Sequence, residues 1–312
     1  MKHSQLSRRA AVAGAVVAAI AAAAVGPIAG AQAAPPLTVV LIPADGGTES
    51  GTKADFAPVF DAVARSTGLT FELYTGQSYN AVVEAMCNRS ADIAFFGPVS
   101  YLQARGRGCA ELLAVAVENG ASTYFAGIFA RADSPLKDLQ DLRGRSVAFG
   151  DVNSASSFVF PVAMLLDAGL DPAGDLAAVR LTGGHAAGLA ALAQGQVDAA
   201  CLSFESFAKA VDQGAIRAES VRILGRSPPI PNPPLGIGTH LPAGLKAQLK
   251  AAFATVHQAP GVTADMVRGY GGKRVDAYDT TFSDSQFDVA ARAMLRVDDR
   301  VKTALLAKAS QR

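Results

Sequence analysis

The stretch from Ser146 to Phe158 reads SVAFGDVNSASSF. A short apolar run ends at Gly150, hydroxyls follow, and Phe158-Val159-Phe160 opens a new apolar segment that continues to Leu166. Strand, hydroxyl-rich turn and helix start is the simplest reading. Such a turn aims backbone N–H groups and the positive end of a helix dipole at one point, and Ser154, Ser156 and Ser157 add hydroxyl donors beside them. That is a receptor for a small oxyanion. Serines before a helix also serve simply as caps, so the turn needs company before it means binding.

Two further loops after apolar runs supply that company. Thr182-Gly183-Gly184-His185 turns from the run Val179–Leu181 into a helix, and Ser78-Tyr79 opens another after the alternating run Leu69 to Tyr74. Tyr124 begins a long apolar strand that extends to Arg131, and Glu205 follows the apolar run Val197–Phe204. A hydrolytic triad of Ser154, His185 and Asp198 is the competing chemistry. No G-x-S-x-G elbow surrounds any serine, and Asp198 within a strand suits a structural role. Metal chemistry has no footing, because the four histidines are scattered and no C-x-x-C occurs. We expect no cofactor.

The elements that position these groups alternate. From Leu37 to Ala44 an apolar strand is bounded by Pro35-Pro36 and Asp45-Gly46-Gly47, and a helix follows with Phe56, Val59, Phe60 and Val63 on one face. Strands are predicted at 92–96, 112–117, 124–131, 146–150, 179–181, 197–204 and 221–224, with helices between most of them. This pattern means α/β lobes with mostly parallel sheets and right-handed crossovers. The prolines between Pro228 and Pro234 argue against a central, fully paired strand at Leu235 to Thr239, and everything after Ala243 reads as helical. Two runs of alternation broken by the extended strand at Tyr124 predict two lobes: 37–125 completed by 226–312, and 126–225. Ligands in such folds sit beyond the carboxyl ends of strands, so the polar loops would face each other across a cleft.

Composition restricts the partners. Half of the 312 residues are apolar, 18% are charged, and the formal charge is +1, so neither disorder nor a nucleic-acid surface is indicated. Residues 1–33 read as a cleavable export signal: Lys2, Arg8 and Arg9, a small-apolar run from Ala10 to Val25, then Ala31-Gln32-Ala33. Ser7-Arg8-Arg9 resembles the twin-arginine variant, although Ala11 and Val12 stand where bulkier residues are usual. Cleavage would leave a periplasmic or secreted protein. It removes three positive charges and no acid, turning +1 into about −2. In an oxidising compartment Cys87 and Cys109, which flank the element from Asp92 to Gln103, are candidates for a disulfide, with Cys201 buried and free. With three cysteines the other two pairings remain open.

The strings Phe95-Phe96-Gly97-Pro98-Val99-Ser100-Tyr101, Asp133-Ser134 to Asp141-Leu142-Arg143-Gly144, Asp151-x-x-Ser154-x-Ser156, Thr182-Gly183-Gly184-His185 and Gly195-Gln196-Val197-Asp198 occur in that order. Their combination resembles the periplasmic phosphate/phosphite/phosphonate-binding proteins of ABC transporters, over about Leu37 to Leu235. The resemblance implies a two-lobed type II binding protein that captures a small anion between closing lobes and delivers it to an ABC permease. A monomer is expected. It also implies that Ser154, Ser156 and Ser157 hold the oxyanion, that His185 contacts it, that Tyr79 and Tyr124 close over it, and that Glu205 meets a substrate ammonium.

Three departures bear on the ligand. Ala155 and Ser157 replace the threonine and glycine of the usual Ser-Thr-Ser-Gly turn, and Ile230-Pro231 is followed by Asn232, where members that bind aminoalkylphosphonates carry an acid. The last change points away from aminoethylphosphonate and toward phosphonates without an amine, phosphite or another small oxyanion. Docking on a membrane receptor as a sensor is the alternative role.

Overall fold

The computed structural model describes residues 35–43 and 49–311. The expected export signal, and the end of the first predicted strand with its Asp45-Gly46-Gly47 turn, lie outside the described residues. The first sheet begins with β1 (Leu37–Leu41), α1 (Glu49–Thr67), β2 (Phe71–Thr75), α2 (Tyr79–Cys87), β3 (Ile93–Phe95), α3 (Pro98–Gly106) and β4 (Ala110–Val117). Here β1 lies between β2 and β3, parallel to both, with Val39 opposite Leu73 and Ile93. The buried face of α1 carries the expected Phe56, Val59, Phe60 and Val63, all below 3% exposure. A disulfide joins Cys87 at the end of α2 to Cys109 just before β4, with Cα atoms 4.8 Å apart, and Cys201 is buried and unbonded.

The chain then crosses over through β5 (Thr123–Tyr124) into β6 (Ala126–Arg131). The second sheet continues with β7 (Ser146–Phe149), a π-helical turn at Ala155–Val159 leading into α4 (Phe160–Asp167), α5 (Pro172–Asp175), β8 (Ala178–Leu181), α6 (His185–Ala193), β9 (Ala199–Ser203), α7 (Phe204–Asp212) and β10 (Val221–Arg226). Its strand order is β10-β6-β9-β7-β8. Because β7 is parallel to both β8 and β9, their carboxyl ends lie on one edge, and the loops at 150–154, 182–184 and 203–206 gather there.

The return path is β11 (Ile230–Pro231), which pairs antiparallel with β5, so the two connections between the sheets run side by side. Then come β12 (Pro234–Gly238), α8 (Ala243–Thr255), β13 (Ala277–Asp279), α9 (Asp288–Arg296) and α10 (Asp299–Ala309). The first sheet has the order β13-β4-β12-β3-β1-β2. Four of its six strands, and four of five in the second, run the same way. The protein is thus an α/β molecule with two mixed sheets flanked by helices.

Two expectations are corrected. β12 is a central strand, antiparallel to both β3 and β4, despite the prolines before it. Pro234 is its first residue, where an absent N–H costs least, and a register shift between Leu235 and Gly236 absorbs the mismatch. The C-terminal part is not all helix. β13 pairs with β4, and Ala264–Met266 is a single 3-10 turn, so the segment between α8 and α9 is mostly irregular.

Candidate functional site

The serine turn is built as the sequence predicts, with one difference: its first turn is π-helical. Ser154 caps it by accepting from the Ser157 N–H at 3.2 Å, and the Val159 N–H reaches back to the Ser154 carbonyl at 3.0 Å. A turn widened in this way recurs at functional sites. All three serines are at most 2% exposed, and the Ser157 hydroxyl is buried without a protein partner. A buried hydroxyl left so costs stability unless something else pairs with it. Only a glycine fits at 150. A Cβ there would overlap the Ser157 hydroxyl and stand 3.9 Å from the Gly184 carbonyl carbon, so the serine turn and the His185 turn adjoin.

Tyr124, on the crossover strand, is buried, and its hydroxyl is hydrogen-bonded to Ser156. Burial raises its pKa, with the Ser156 hydrogen bond opposing and the nearby Glu205 carboxylate adding to the rise. Tyr79 enters through its backbone: its N–H donates to Asp151 Oδ2 at 3.3 Å, linking α2 of the first sheet to the loop after β7. Asp151 also accepts from the Asn153 N–H at 2.8 Å, and burial raises its pKa against these two bonds.

His185, the first residue of α6, is 1% exposed and has protein partners at both nitrogens. The Ser203 N–H donates to Nδ1 at 3.1 Å, and Nε2 lies 3.1 Å from the Tyr270 hydroxyl. A backbone amide can only donate, so Nδ1 is the acceptor and the neutral ring carries its proton on Nε2. Glu205 stands in the first turn of α7, which Ser203 caps through the Ser206 N–H at 3.0 Å. Its Oε2 is buried without a partner. Burial pushes its pKa up to about 7, the Glu205 backbone N–H and Lys273 opposing, Glu118 reinforcing and Arg226 opposing. A cavity of about 280 Å³ lies beside it, between α7 and the segment from Arg268 to Lys273.

All seven residues singled out in the sequence therefore belong to one connected neighbourhood. Asp198 does not join them: it accepts from the N–H and hydroxyl of Ser146, tying β9 to β7, so no triad forms with His185. Four participants were missed. Asp151 belongs to the Asp151-x-x-Ser154-x-Ser156 string, and Ser203 with Ser206 follows a strand end as the three polar loops do. Tyr270 gave no signal of that kind, being an isolated aromatic between Gly269 and Gly271. Asn232, at the position that lacks an acid, donates to the Ala116 carbonyl at 2.9 Å. Among the described residues, no cluster of three or more His, Cys, Asp or Glu could hold a metal, and no helix is long and apolar enough to cross a membrane.

Comparison with known proteins shows the family. Residues 47–280 match a family model described as the periplasmic substrate-binding protein of phosphonate ABC transporters. The phosphate-import protein PhnD of Mycolicibacterium smegmatis is 30% identical over 230 residues, 70% of this chain and 71% of that one. The phosphonates-binding periplasmic protein of Escherichia coli is 24% identical over 226 residues, 71% and 67% of the two chains. Among solved structures, a binding component of an ABC phosphonate transporter from Pseudomonas aeruginosa superposes with a TM-score of 0.74 at 20% identity, covering 88% of this chain and 90% of that one. PhnD1 of Prochlorococcus marinus, solved with methylphosphonate, gives 0.71 at 17% identity, covering 84% and 97%. These likenesses confirm the two-lobed type II fold. The chain belongs to the periplasmic substrate-binding proteins of phosphonate ABC transporters, as a binding component and not an enzyme.

Proposed function

We propose that the protein captures a small phosphorus oxyanion without a cationic amine, such as methylphosphonate, phosphite or phosphate, in the neighbourhood of Ser154, Ser156, Ser157, Tyr79, Tyr124 and His185. The observation that carries this reading is the Ser157 hydroxyl, buried and unpartnered in a turn that opens a helix, with two further buried serines beside it. Oriented dipoles and neutral donors would strip the anion of water without a basic pocket. Glu205 suits an amine-free ligand, because with a pKa of about 7 it is easily protonated near neutral pH, and an approaching anion favours the neutral form further. Its role as an ammonium partner is then replaced by tolerance of a nearby anion. The paired crossover strands β5 and β11 would act as the hinge between lobes at 37–125 with 226–312 and at 126–225. The mature protein, released after signal cleavage as a monomer, would present its closed form to the permease subunit.

The test is calorimetric titration of the mature protein with methylphosphonate, phosphite, phosphate, aminoethylphosphonate and sulfate. Binding of one or more amine-free phosphorus oxyanions, tighter than aminoethylphosphonate and sulfate, is the expected result. No heat with any of them would sink the reading. Ser157→Ala sharpens the test, since it removes a donor that nothing in the protein uses. Affinity should fall by about 1–3 kcal/mol while the ligand-free protein stays as stable or becomes more so. A capping or packing role alone would produce no loss of affinity.

A further inference from the structure

The cavity of about 280 Å³ beside Glu205 plays no part in the oxyanion turn, yet it shares a wall with it. Tyr270 and Glu205 both line the cavity. The ring of Tyr270 also stands edge-on to Tyr124, with centroids 5.7 Å apart, and its hydroxyl lies 3.1 Å from His185 Nε2. Tyr124 in turn is hydrogen-bonded to Ser156. The cavity is therefore separated from the oxyanion turn by the Tyr270 and Tyr124 side chains. Toward Asn232, Glu205 borders a second space, but at about 10 Å³ it holds one water at most. Of the two spaces that border Glu205, only the larger can take a substituent on phosphorus.

The larger space offers such a substituent one cation. Arg268 lines it, half-buried and fixed in direction: Nε donates to the Asp265 carbonyl and Nη1 to the Gly272 carbonyl, both at 2.8 Å. A guanidinium has five N–H groups, so three of them are left without a protein partner among the described residues. The other charges of the lining are matched or solvated. Lys209 meets Asp55 at 2.8 Å, Lys273 meets Glu118 at 2.5 Å, and Asp212 is exposed at the end of α7. Burial holds Glu205 toward its neutral form. A cationic tail would thus find no buried acid waiting for it, whereas a carboxylate would find a planar fork of matching geometry, already oriented. We infer that this cavity is a subsite for a second anionic group of the ligand, received by Arg268. The ligand class is then a phosphonate whose phosphorus carries a short chain ending in a carboxylate. This deepens the oxyanion reading proposed above and rests on it.

The experiment titrates wild type and Arg268→Gln calorimetrically with methylphosphonate, phosphonoacetate, phosphonopropionate and phosphonobutyrate, and wild type also with the carboxyl methyl esters of the last three. At least one carboxylate-bearing phosphonate should bind wild type on the order of 10-fold more tightly than methylphosphonate, the gain from one charge-assisted contact after the chain is ordered. The chain length that binds best reads the separation of the two subsites. Esterification should abolish the gain, and so should Arg268→Gln, which should leave methylphosphonate binding unchanged. Should the variant fail to fold or lose methylphosphonate binding as well, the acid and ester comparison in wild type decides alone. Wild type that binds none of the phosphonates overturns the oxyanion reading itself. Wild type that binds methylphosphonate at least as tightly as every carboxylate-bearing ligand overturns this inference and leaves that reading standing. A gain that survives in the ester or in a folded variant does the same.

Discussion

Glu205 is the residue whose surroundings most constrain the ligand. An acid whose pKa rises from 4.5 to about 7 on folding binds more protons in the native state than in the unfolded state across that interval. Stability therefore falls as pH climbs from about 4.5 to 7 and stays at the lower level above it. Glu205→Gln removes this dependence, because the amide keeps the shape and never ionises. The variant should match wild type near pH 4 and exceed it at pH 8, by on the order of 1–3 kcal/mol. Urea unfolding at the two pH values checks this. An identical pH dependence in both proteins would mean that the carboxylate finds solvent or a cation in the folded state. The same group predicts the sign of proton coupling to binding. An approaching anion disfavours the carboxylate, so titration at pH 8 should take up protons, whereas an ammonium-bearing ligand should release them at pH 6.

At the scale of elements, the parts of the site that could be read in the sequence are those that follow parallel strands. The ends of β7, β8 and β9 carry the serine turn, the His185 turn and the Ser203 cap, and a strand followed by glycine and hydroxyls is visible in one dimension. Tyr270 was illegible for the opposite reason. It sits in an aperiodic stretch 85 residues from its partner His185, and only tertiary folding brings the two together. The same stretch hid β13, three residues long and recognisable only by its pairing with β4. The prolines before β12 do not bar its central place, because Pro234 sits at the strand's boundary and not within it.

What seats Tyr270 is the pair Gly271-Gly272, with φ of 70° and 71°, in the left-handed region that other residues enter at a cost. A Cβ on Gly272 would also run into the Asp55 carboxylate of α1. Gly272→Ala should therefore destabilise the protein by about 1–3 kcal/mol and displace the neighbouring tyrosine. Both effects are measurable, as a lower midpoint in urea unfolding and as weakened binding of methylphosphonate. Gly261→Ala is the control. It has a similar φ of 74° but open space around it, and should cost stability without touching affinity.

For the whole molecule, the question is what holds the two halves together over a bound ligand. Contacts cross between them at separate places. Lys209 of α7 meets Asp55 of α1 at 2.8 Å, Gln103 of α3 donates to Asn153 of the serine loop at 2.8 Å, the Tyr79 N–H reaches Asp151, and Arg296 of α9 pairs with Asp167 of α4 at 2.6 Å. The Asp55–Lys209 pair differs in exposure, with both side chains about a quarter exposed (23% and 25%), whereas Arg296 and Asp167 are both more than half exposed. Partial burial protects the first pair from salt screening, and exposed pairs contribute little. Asp55 also abuts Gly272, so this one carboxylate touches both the opposite half and the segment that carries Tyr270. Asp55→Asn keeps the shape and removes the attraction; if capture closes the two halves as proposed, it penalises the closed state, in which the two groups meet. Ligand binding draws on the closed population, so affinity should fall by the lost share of that equilibrium, roughly 3- to 10-fold for about 1 kcal/mol. Stopped-flow measurements should find the loss mainly in faster dissociation, and small-angle scattering should give a larger radius of gyration for the ligand-free variant. Unchanged dissociation and scattering would assign the closure energy to Gln103–Asn153 and the Asp151 bonds beside the oxyanion turn, making the ligand's own contacts the dominant clasp.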